Sequence, residues 1–490
     1  MTYPDILPNQ INDVVQQSAN AFMIYNQYTL QKRVELLYTI AHLLDQKSET
    51  LIASAASETQ LSITRLKTEL SRTCWQLKSY ADYCKSGQGL QIRIDTGGEN
   101  NHLNDLRKMQ VPLGPVAIFG AANFPFAYST AGGDTASALA AGCTVIVKAH
   151  PGHAHTSQLI ADIVTASLAL LKMPETIFQH IHGASYEVGK VLVSHPLLKA
   201  VGFTGSQKGG KQIYDWCQQR RQPIPVFAEM SSINPIFMLP EKLHTEAEPY
   251  AKLFAASISN SAGQFCTCPG IIVGIKSAGF EKFIQALSKN ISSLAATPML
   301  NKGIFENYLF TKDTVIQQET VDELNNPSCN ANTYEVAPAL ARVNAQDFIK
   351  TPQFMQEVFG PFALLVQCKD EKEMLLVAQQ LEGQLTASVI ATEEEMITHK
   401  ALISALIQKC GRFIYNGVPT GVQVSLAMQH GGPFPATTDS RFTAVGGDAI
   451  NRFTRPVCFQ NLPHHLLPDE LKPGNPLQIW RTINNIPGTK

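Results

Sequence analysis

Pro115-Val116-Ala117-Ile118-Phe119-Gly120-Ala121-Ala122-Asn123-Phe124-Pro125 opens the stretch whose reading decides the fold, and Gly142-Cys143-Thr144-Val145-Ile146-Val147-Lys148 closes it. A short apolar run ends at Phe119 in small residues, a helix-length segment follows, and a second apolar run ends at Lys148. That is one β-α-β step. Further apolar runs at residues 177–181, 200–203 and 225–228, again with mostly helical stretches between them, repeat the step. Repetition of this unit predicts an α/β fold with a doubly wound parallel sheet.

Upstream, Arg33, Leu36, Leu37, Ile40, Leu43 and Leu44 recur at helical spacing, so the first hundred residues read as helices. Downstream, a second alternating block begins near Ser231, with strand-like runs at 271–275, 362–366, 387–391 and 412–415. This predicts a second α/β domain. A Gly/Pro-rich loop at 430–441 and a proline-rich tail past Trp480 show no core of their own.

A chain of 490 residues suits two or three domains. Its 39 basic and 40 acidic side chains cancel, so no net field recruits nucleic acid or an anionic membrane, and a small molecule is the expected partner. Residues 1–10 carry Asp5 and two prolines but no basic run before an apolar stretch, which predicts no secretory leader. No apolar run reaches the ~18 residues that would span a bilayer. Ten scattered cysteines, none in a C-x-x-C pair, fit reduced thiols in a cytoplasm.

A doubly wound sheet binds its ligand beyond the C-terminal ends of its strands. The first strand ends in Phe119, Gly120, Ala121 and Ala122, small enough for a ligand to approach the backbone. The fourth ends in Gly202-Phe203-Thr204-Gly205-Ser206, with Gly209 and Gly210 near a helix start whose free N–H groups suit phosphate. Neither matches G-x-G-x-x-G, and strand-end glycines are often only turns. Lys148 stands at the end of the second strand, where a dinucleotide site commonly has an acid, and a cation there favours a 2′-phosphate.

Glu229 follows the apolar run Pro-Val-Phe-Ala, an approach expected to raise its pKa toward that of a useful base. Cys266 lies in Gly263-Gln264-Phe265-Cys266-Thr267-Cys268-Pro269-Gly270, a tight loop that can expose a thiolate nucleophile. His150, His153 and His155 invite a metal reading, which is declined because no acidic or cysteine partner lies near in sequence. No metal is expected.

Asn123-Phe124-Pro125, Gly202 to Ser206, Glu229, Gly263 to Cys266 and Glu357-Val358-Phe359-Gly360-Pro361, in this order, resemble the aldehyde dehydrogenase superfamily over nearly the whole chain. Residues 132–142, 416–422, 430–433 and 455–458 resemble the α-ketoglutaric semialdehyde dehydrogenases within it, a subgroup similar also to NADP-linked fatty aldehyde dehydrogenases. The resemblance implies oxidation of an aldehyde to a carboxylate through a thioester on Cys266. Asn123, with the Cys266 backbone N–H, would bind the oxyanion, and Glu229 would activate the thiol or the hydrolytic water. Glu357 and Phe359 would hold the nicotinamide ribose and ring. Gly205, Ser206 and Gly210 would lie near the pyrophosphate.

The cofactor implied is NADP or NAD, with Lys148 at the adenine ribose and Lys211 where an NADP-linked relative has a phosphate-binding arginine. Pro151 replaces a glutamate of NAD-preferring relatives, which tilts the expectation to NADP. Met230-Ser231-Ser232 departs from the superfamily's Leu-Gly-Gly, and Cys268 stands where the subgroup often has asparagine.

The resemblance implies three parts: a dinucleotide-binding domain at 1–90 and 110–230, a catalytic domain at 231–442, and oligomerisation segments at 91–109 and 443–490. These last include a β-hairpin and a tail that would build a homodimer or homotetramer. Arg441 is the candidate for a substrate carboxylate. Competing readings are an acyl-phosphate or acyl-thioester reductase, which would not need Glu229, a non-catalytic NADP-binding scaffold, and a cysteine hydrolase.

Overall fold

The computed structural model describes residues 3–96, 104–325 and 327–489. Five parallel strands form the first sheet in the order Phe178–Ile181, Val145–Lys148, Val116–Phe119, Ala200–Thr204, Val226–Glu229. The chain starts in the middle, moves out to one edge, then returns and moves out to the other. The order therefore reverses at Val116–Phe119, and a crevice opens at the ends of the strands there.

Alternation along each strand decides which face its side chains enter. Val116, Ile118, Val145 and Val147 pack with Leu36, Ile40, Leu70 and Leu139, from helices Leu30–Gln46, Ile63–Ser86 and Gly133–Ala141. Ala117, Phe119 and Ile146 point the other way, onto Ile11, Val188, Leu192 and Ile213 of helices Pro8–Tyr25, Tyr186–Ser194 and Gln207–Gln218. Both faces are covered, which is why these strands are continuous apolar runs.

The second sheet has seven strands: Asp322–Glu323, Ala339–Asn344, Phe362–Cys368, Ile271–Ile275, Ile236–Met238, Gln384–Ile390 and Cys410–Tyr415. All pairs are parallel except the first. Its odd and even residues again divide between two cores, Ile271 and Val273 into one and Ile272 into the other. The strands at Ile236–Met238 and Ala339–Asn344 escape a sequence reading because the first is only three residues long and each is preceded by a proline.

The tail has more structure than its prolines suggest. Thr454–Gln460 pairs antiparallel with Leu106–Pro112, and Arg481–Ile483 lies parallel to Arg93–Asp95, so that with Ile486–Gly488 they build a third, five-stranded sheet. Buried Arg107 pins this sheet, donating to Asp105 at 2.7 Å and to the Leu471 carbonyl at 2.6 Å. The expected hairpin at 91–109 falls partly within this sheet, and its residues 97–103 lie outside the described residues.

Candidate active site

Cys266 sits where the first and second sheets meet. Helix Pro240–Ser259 ends one turn before it, and Ser261, Ala262 and Gly263 then take φ of 51°, 53° and 63° in succession. Left-handed backbone costs an ordinary residue about 1–3 kcal/mol, so this turn persists only because its surroundings impose it. Gly263 is obligatory: a Cβ there would stand 2.3 Å from the Gly360 carbonyl, so the nucleophile loop and the Glu357 loop touch backbone to backbone.

Two buried amides lock the loop beyond that turn. Gln264 donates through Nε2 to the Ser261 carbonyl at 3.0 Å and accepts the Leu300 N–H on Oε1 at 3.0 Å. Asn234, fully buried, donates to the carbonyls of Cys266 at 2.9 Å and Cys268 at 3.0 Å, and accepts from Ser232 and Thr386. A buried polar network satisfied in this way fixes one geometry.

Asn123 is buried, and its Nδ2 donates to the Gln264 carbonyl at 3.0 Å, which brings its amide to the nucleophile loop. The Cys266 N–H has no acceptor among the described residues, so it is available as a second donor. The loop carrying Asn123 is gripped by helix Ile63–Ser86: Arg65 Nη2 donates to the Asn123 carbonyl at 2.7 Å, and Glu69 Oε1 accepts the N–H groups of Phe126 and Ala127 at 2.8 and 3.0 Å.

Glu229 ends its strand fully buried. A returning loop pairs with this strand end, Thr438 with Ala228 and Ala436 with Met230, and carries His430 in. His430 Nε2 lies 3.0 Å from Glu229 Oε1 and 3.7 Å from Cys266 Sγ. All three groups lie within 4.8 Å of one another. Glu229 Oε2 is buried without a partner among the described residues.

Burial pushes the Glu229 carboxyl up, but the hydrogen-bonded His430 imidazole, aided by the nearby Cys266 thiol, outweighs burial and holds it below its ordinary value. The expected rise is thus corrected: the sequence approach to Glu229 is apolar, but the partner that sets its charge comes from a distant loop. Burial and the Glu229 charge raise the Cys266 thiol well above its usual value. Cys268 is raised to about 12, chiefly by burial, with Glu357 adding to it.

Glu357, Phe359, Phe265 and Cys268 line one cavity on the far side of the nucleophile loop. Burial raises the Glu357 carboxyl to about 7 against hydrogen bonds from Ser231 and Ser232. At the strand ends of the first sheet, Phe119 is level with Lys148 on one side and Phe203 on the other. Ala121 accepts a 2.8 Å hydrogen bond from His153 and donates to Tyr128, which sets the course of the chain through Ala122.

Gly205 donates to the Glu229 carbonyl, and Ser206 caps helix Gln207–Gln218 by accepting the Gly209 N–H at 3.2 Å. Gly210 leaves room for Met230, whose sulfur would be 2.7 Å from a Cβ there. Burial lowers the Lys148 ammonium, with Asp5 opposing, and no ion pair engages it among the described residues. Lys211 is held at 2.6 Å by Asp215 on an exposed helix face.

The histidines at 150, 153 and 155 each have their own partner, Gly152 N–H, the Ala121 carbonyl and the Tyr3 hydroxyl. Arg441 is exposed, ion-paired to Asp439 at 2.6 Å, and lines a cleft with Gln110 and Met428 rather than with Cys266. His430, Asn234, Gln264 and Glu69 were not singled out as site residues by sequence reasoning. Only His430 carried a signal, its place in a glycine-rich loop.

A half-buried thiol between a buried amide donor and a carboxylate–imidazole pair, beside the strand ends of a doubly wound sheet, is an arrangement suited to covalent thiol catalysis in an enzyme. The chain belongs to the aldehyde dehydrogenase family, whose model matches residues 1–455. It is accordingly an NAD(P)-dependent oxidoreductase that converts an aldehyde to a carboxylate.

It is 42% identical to the α-ketoglutaric semialdehyde dehydrogenase of Acinetobacter baylyi, over 98% of this chain and 91% of that one. With α-ketoglutaric semialdehyde dehydrogenase 2 of Azospirillum brasilense it shares 41% identity over 94% and 89%. Among solved structures, glyceraldehyde-3-phosphate dehydrogenase of Methanocaldococcus jannaschii, complexed with NADP, superposes with a TM-score of 0.78 at 18% identity, over 94% of this chain and 95% of that one. This likeness shows the fold. No helix among the described residues is long and apolar enough to cross a membrane.

Proposed function

We propose that the enzyme oxidises α-ketoglutaric semialdehyde to 2-oxoglutarate, with Cys266 as nucleophile and NADP preferred over NAD. The observation that carries the mechanism is the convergence of Cys266, Asn123 and the Glu229–His430 pair in one buried site. The substrate rests on the 41–42% identity to dehydrogenases of that name over nearly the full chain.

In the free enzyme Cys266 is a neutral thiol, because its raised pKa keeps the proton on sulfur. Its proton passes toward Glu229 or His430 as sulfur attacks the aldehyde carbon to give a thiohemiacetal. Asn123 Nδ2 and the Cys266 N–H then meet the developing oxyanion; the amide has two N–H donors, and only one of them is used on the Gln264 carbonyl. A bound nicotinamide supplies the hydride acceptor. Hydrolysis of the resulting thioester needs a base that is ionised at neutral pH and has a free lone pair, and Glu229 Oε2 meets both conditions.

The residues present fit a dinucleotide. Lys148 offers an uncommitted ammonium for a 2′-phosphate, and Phe119, Ala121 and Ala122 floor the crevice. Gly205, Ser206 and Gly210 surround a helix start suited to the pyrophosphate, and Glu357 and Phe359 would hold the nicotinamide end. Lys211 can help only by leaving Asp215, a small cost for an exposed pair.

The chain divides functionally into a dinucleotide-binding part at 1–90 and 110–230, a catalytic part at 231–442 and oligomerisation segments at 91–109 and 443–490. Homodimer or homotetramer formation is supported by the third sheet, whose outer strands Thr454–Gln460 and Ile486–Gly488 have unpaired edges among the described residues. Ten free cysteines support a cytoplasmic location.

The test is cofactor reduction followed by absorbance with α-ketoglutaric semialdehyde, comparing NADP with NAD and wild type with Cys266→Ala. Turnover that survives Cys266→Ala overturns the mechanism. Absence of turnover with either cofactor overturns the substrate.

A further inference from the structure

A cleft of about 580 Å³ adjoins the loop that carries Cys266, lined by Arg65, Thr68, Arg72, Phe124, Ser261 and Phe265 among others. Phe124 follows the oxyanion residue Asn123, and Phe265 precedes Cys266, so the inner walls of the cleft belong to the reacting loops themselves. Arg65 and Arg72, two helical turns apart on Ile63–Ser86, project from the same face into it.

Their hydrogen bonds are incomplete. Arg65 donates through Nη2 to the Asn123 carbonyl and lies 5.0 and 4.7 Å from the rings of Phe124 and Phe265, while its Nε and Nη1 are buried without partners. Arg72 donates through Nη2 to the Tyr128 hydroxyl at 3.0 Å, and its Nε is buried without a partner. The one acid lining the cleft, Glu69, stands between them on the helix and uses Oε1 on the N–H groups of Phe126 and Ala127. Two guanidinium groups therefore face one carboxylate.

Keeping a desolvated cation short of acceptors is costly unless a ligand supplies them. Arg72 bonds the Tyr128 hydroxyl, and the Tyr128 ring lies 5.2 Å from that of Phe124 and 6.2 Å from that of His430, whose Nε2 is 3.7 Å from the Cys266 sulfur. We propose that Arg72, backed by Arg65, seats the distal carboxylate of the substrate, so that the enzyme selects short aldehydes bearing a terminal carboxylate. The inference rests on the proposed dehydrogenase reaction and names the residue that reads its substrate. It replaces Arg441, which is exposed and already paired.

Two aldehydes that differ only at the far end, glutarate semialdehyde and pentanal, provide the test. Wild type is expected to prefer the first in kcat/KM, and Arg72→Gln is expected to lower that preference by about 10- to 100-fold, chiefly through KM. Arg72→Lys should restore part of it, because a point charge replaces the fork. Equal losses on both aldehydes would mean that Arg72 acts only by holding Tyr128, and would overturn the assignment while leaving the substrate reading intact.

A measurement on the unaltered enzyme covers the case in which the variants do not fold: glutarate should inhibit pentanal oxidation more strongly than valerate. Equal inhibition overturns the assignment. A wild-type preference for pentanal overturns the substrate reading and the assignment together.

Discussion

His430 Nε2 stands 3.0 Å from Glu229 Oε1, although the two residues are 201 positions apart in the chain. The contact holds the buried carboxyl below its ordinary value against the effect of burial, and burial together with the Glu229 charge raises the Cys266 thiol. Base and nucleophile thus oppose each other in the free enzyme.

Glu229→Gln removes the charge that holds the thiol up. Alkylation of Cys266 at mildly alkaline pH should become faster, while turnover falls by about 10²- to 10⁴-fold with the loss of the base. Slower alkylation in the variant would mean that Glu229 instead draws the proton from the thiol before substrate binds.

His430→Gln removes the group that lowers the Glu229 pKa. A carboxylate whose pKa is depressed does its work above that value and loses it as pH falls through it. The acid limb of the kcat/KM profile should therefore move to higher pH in this variant, and an unmoved limb would remove His430 from the account.

Glu357 titrates near neutrality, at about 7, because burial opposes its charge. If its carboxylate holds the ribose, cofactor affinity should strengthen as pH rises through that value, and Glu357→Gln should flatten the profile. The stability effect has the opposite sign. An acid with a raised folded pKa binds its proton more tightly when folded, so the wild type loses stability as pH rises from the usual carboxylate range toward 7. Thermal denaturation should accordingly show Glu357→Gln gaining more at pH 8 than at pH 5.

Asn123→Ala should lower kcat by about 10²- to 10³-fold, the usual effect of losing one oxyanion donor. Loop packing is separately checked by circular dichroism, since Arg65 and Glu69 hold that loop through its backbone rather than through the Asn123 side chain.

Lys148→Met should raise KM for NADP more than KM for NAD, and Lys211→Met should change the ratio less, because Lys211 is already bound to Asp215. A larger effect at Lys211 would exchange the two roles.

The first sheet was legible from residues 115–148 onward, because strands covered on both faces must be apolar throughout and their small-residue ends mark the crevice. Cys266, Glu229 and Asn123, each read from a local motif, are brought together by the fold. The sequence reading missed the strands at Ile236–Met238 and Ala339–Asn344 and those of the tail, which pair with partners distant in the chain.

By itself, then, the amino-acid sequence determined the alternation of strands and helices and singled out the thiol, amide and carboxylate for which roles are proposed, since these depend on periodicity and on residues adjacent in the chain. Tertiary structure alone decided the direction in which the Glu229 pKa moves, the turn before Cys266, the anchoring by Asn234 and Gln264, and which arginines line the cleft beside Phe265. Each of these depends on burial or on a partner brought close by folding, and neither leaves a periodic trace in the sequence. Arg441 and Arg72 illustrate the difference: as residue types they are identical, but one pairs with Asp439 at the surface while the other lines the cleft beside Phe124 and Phe265.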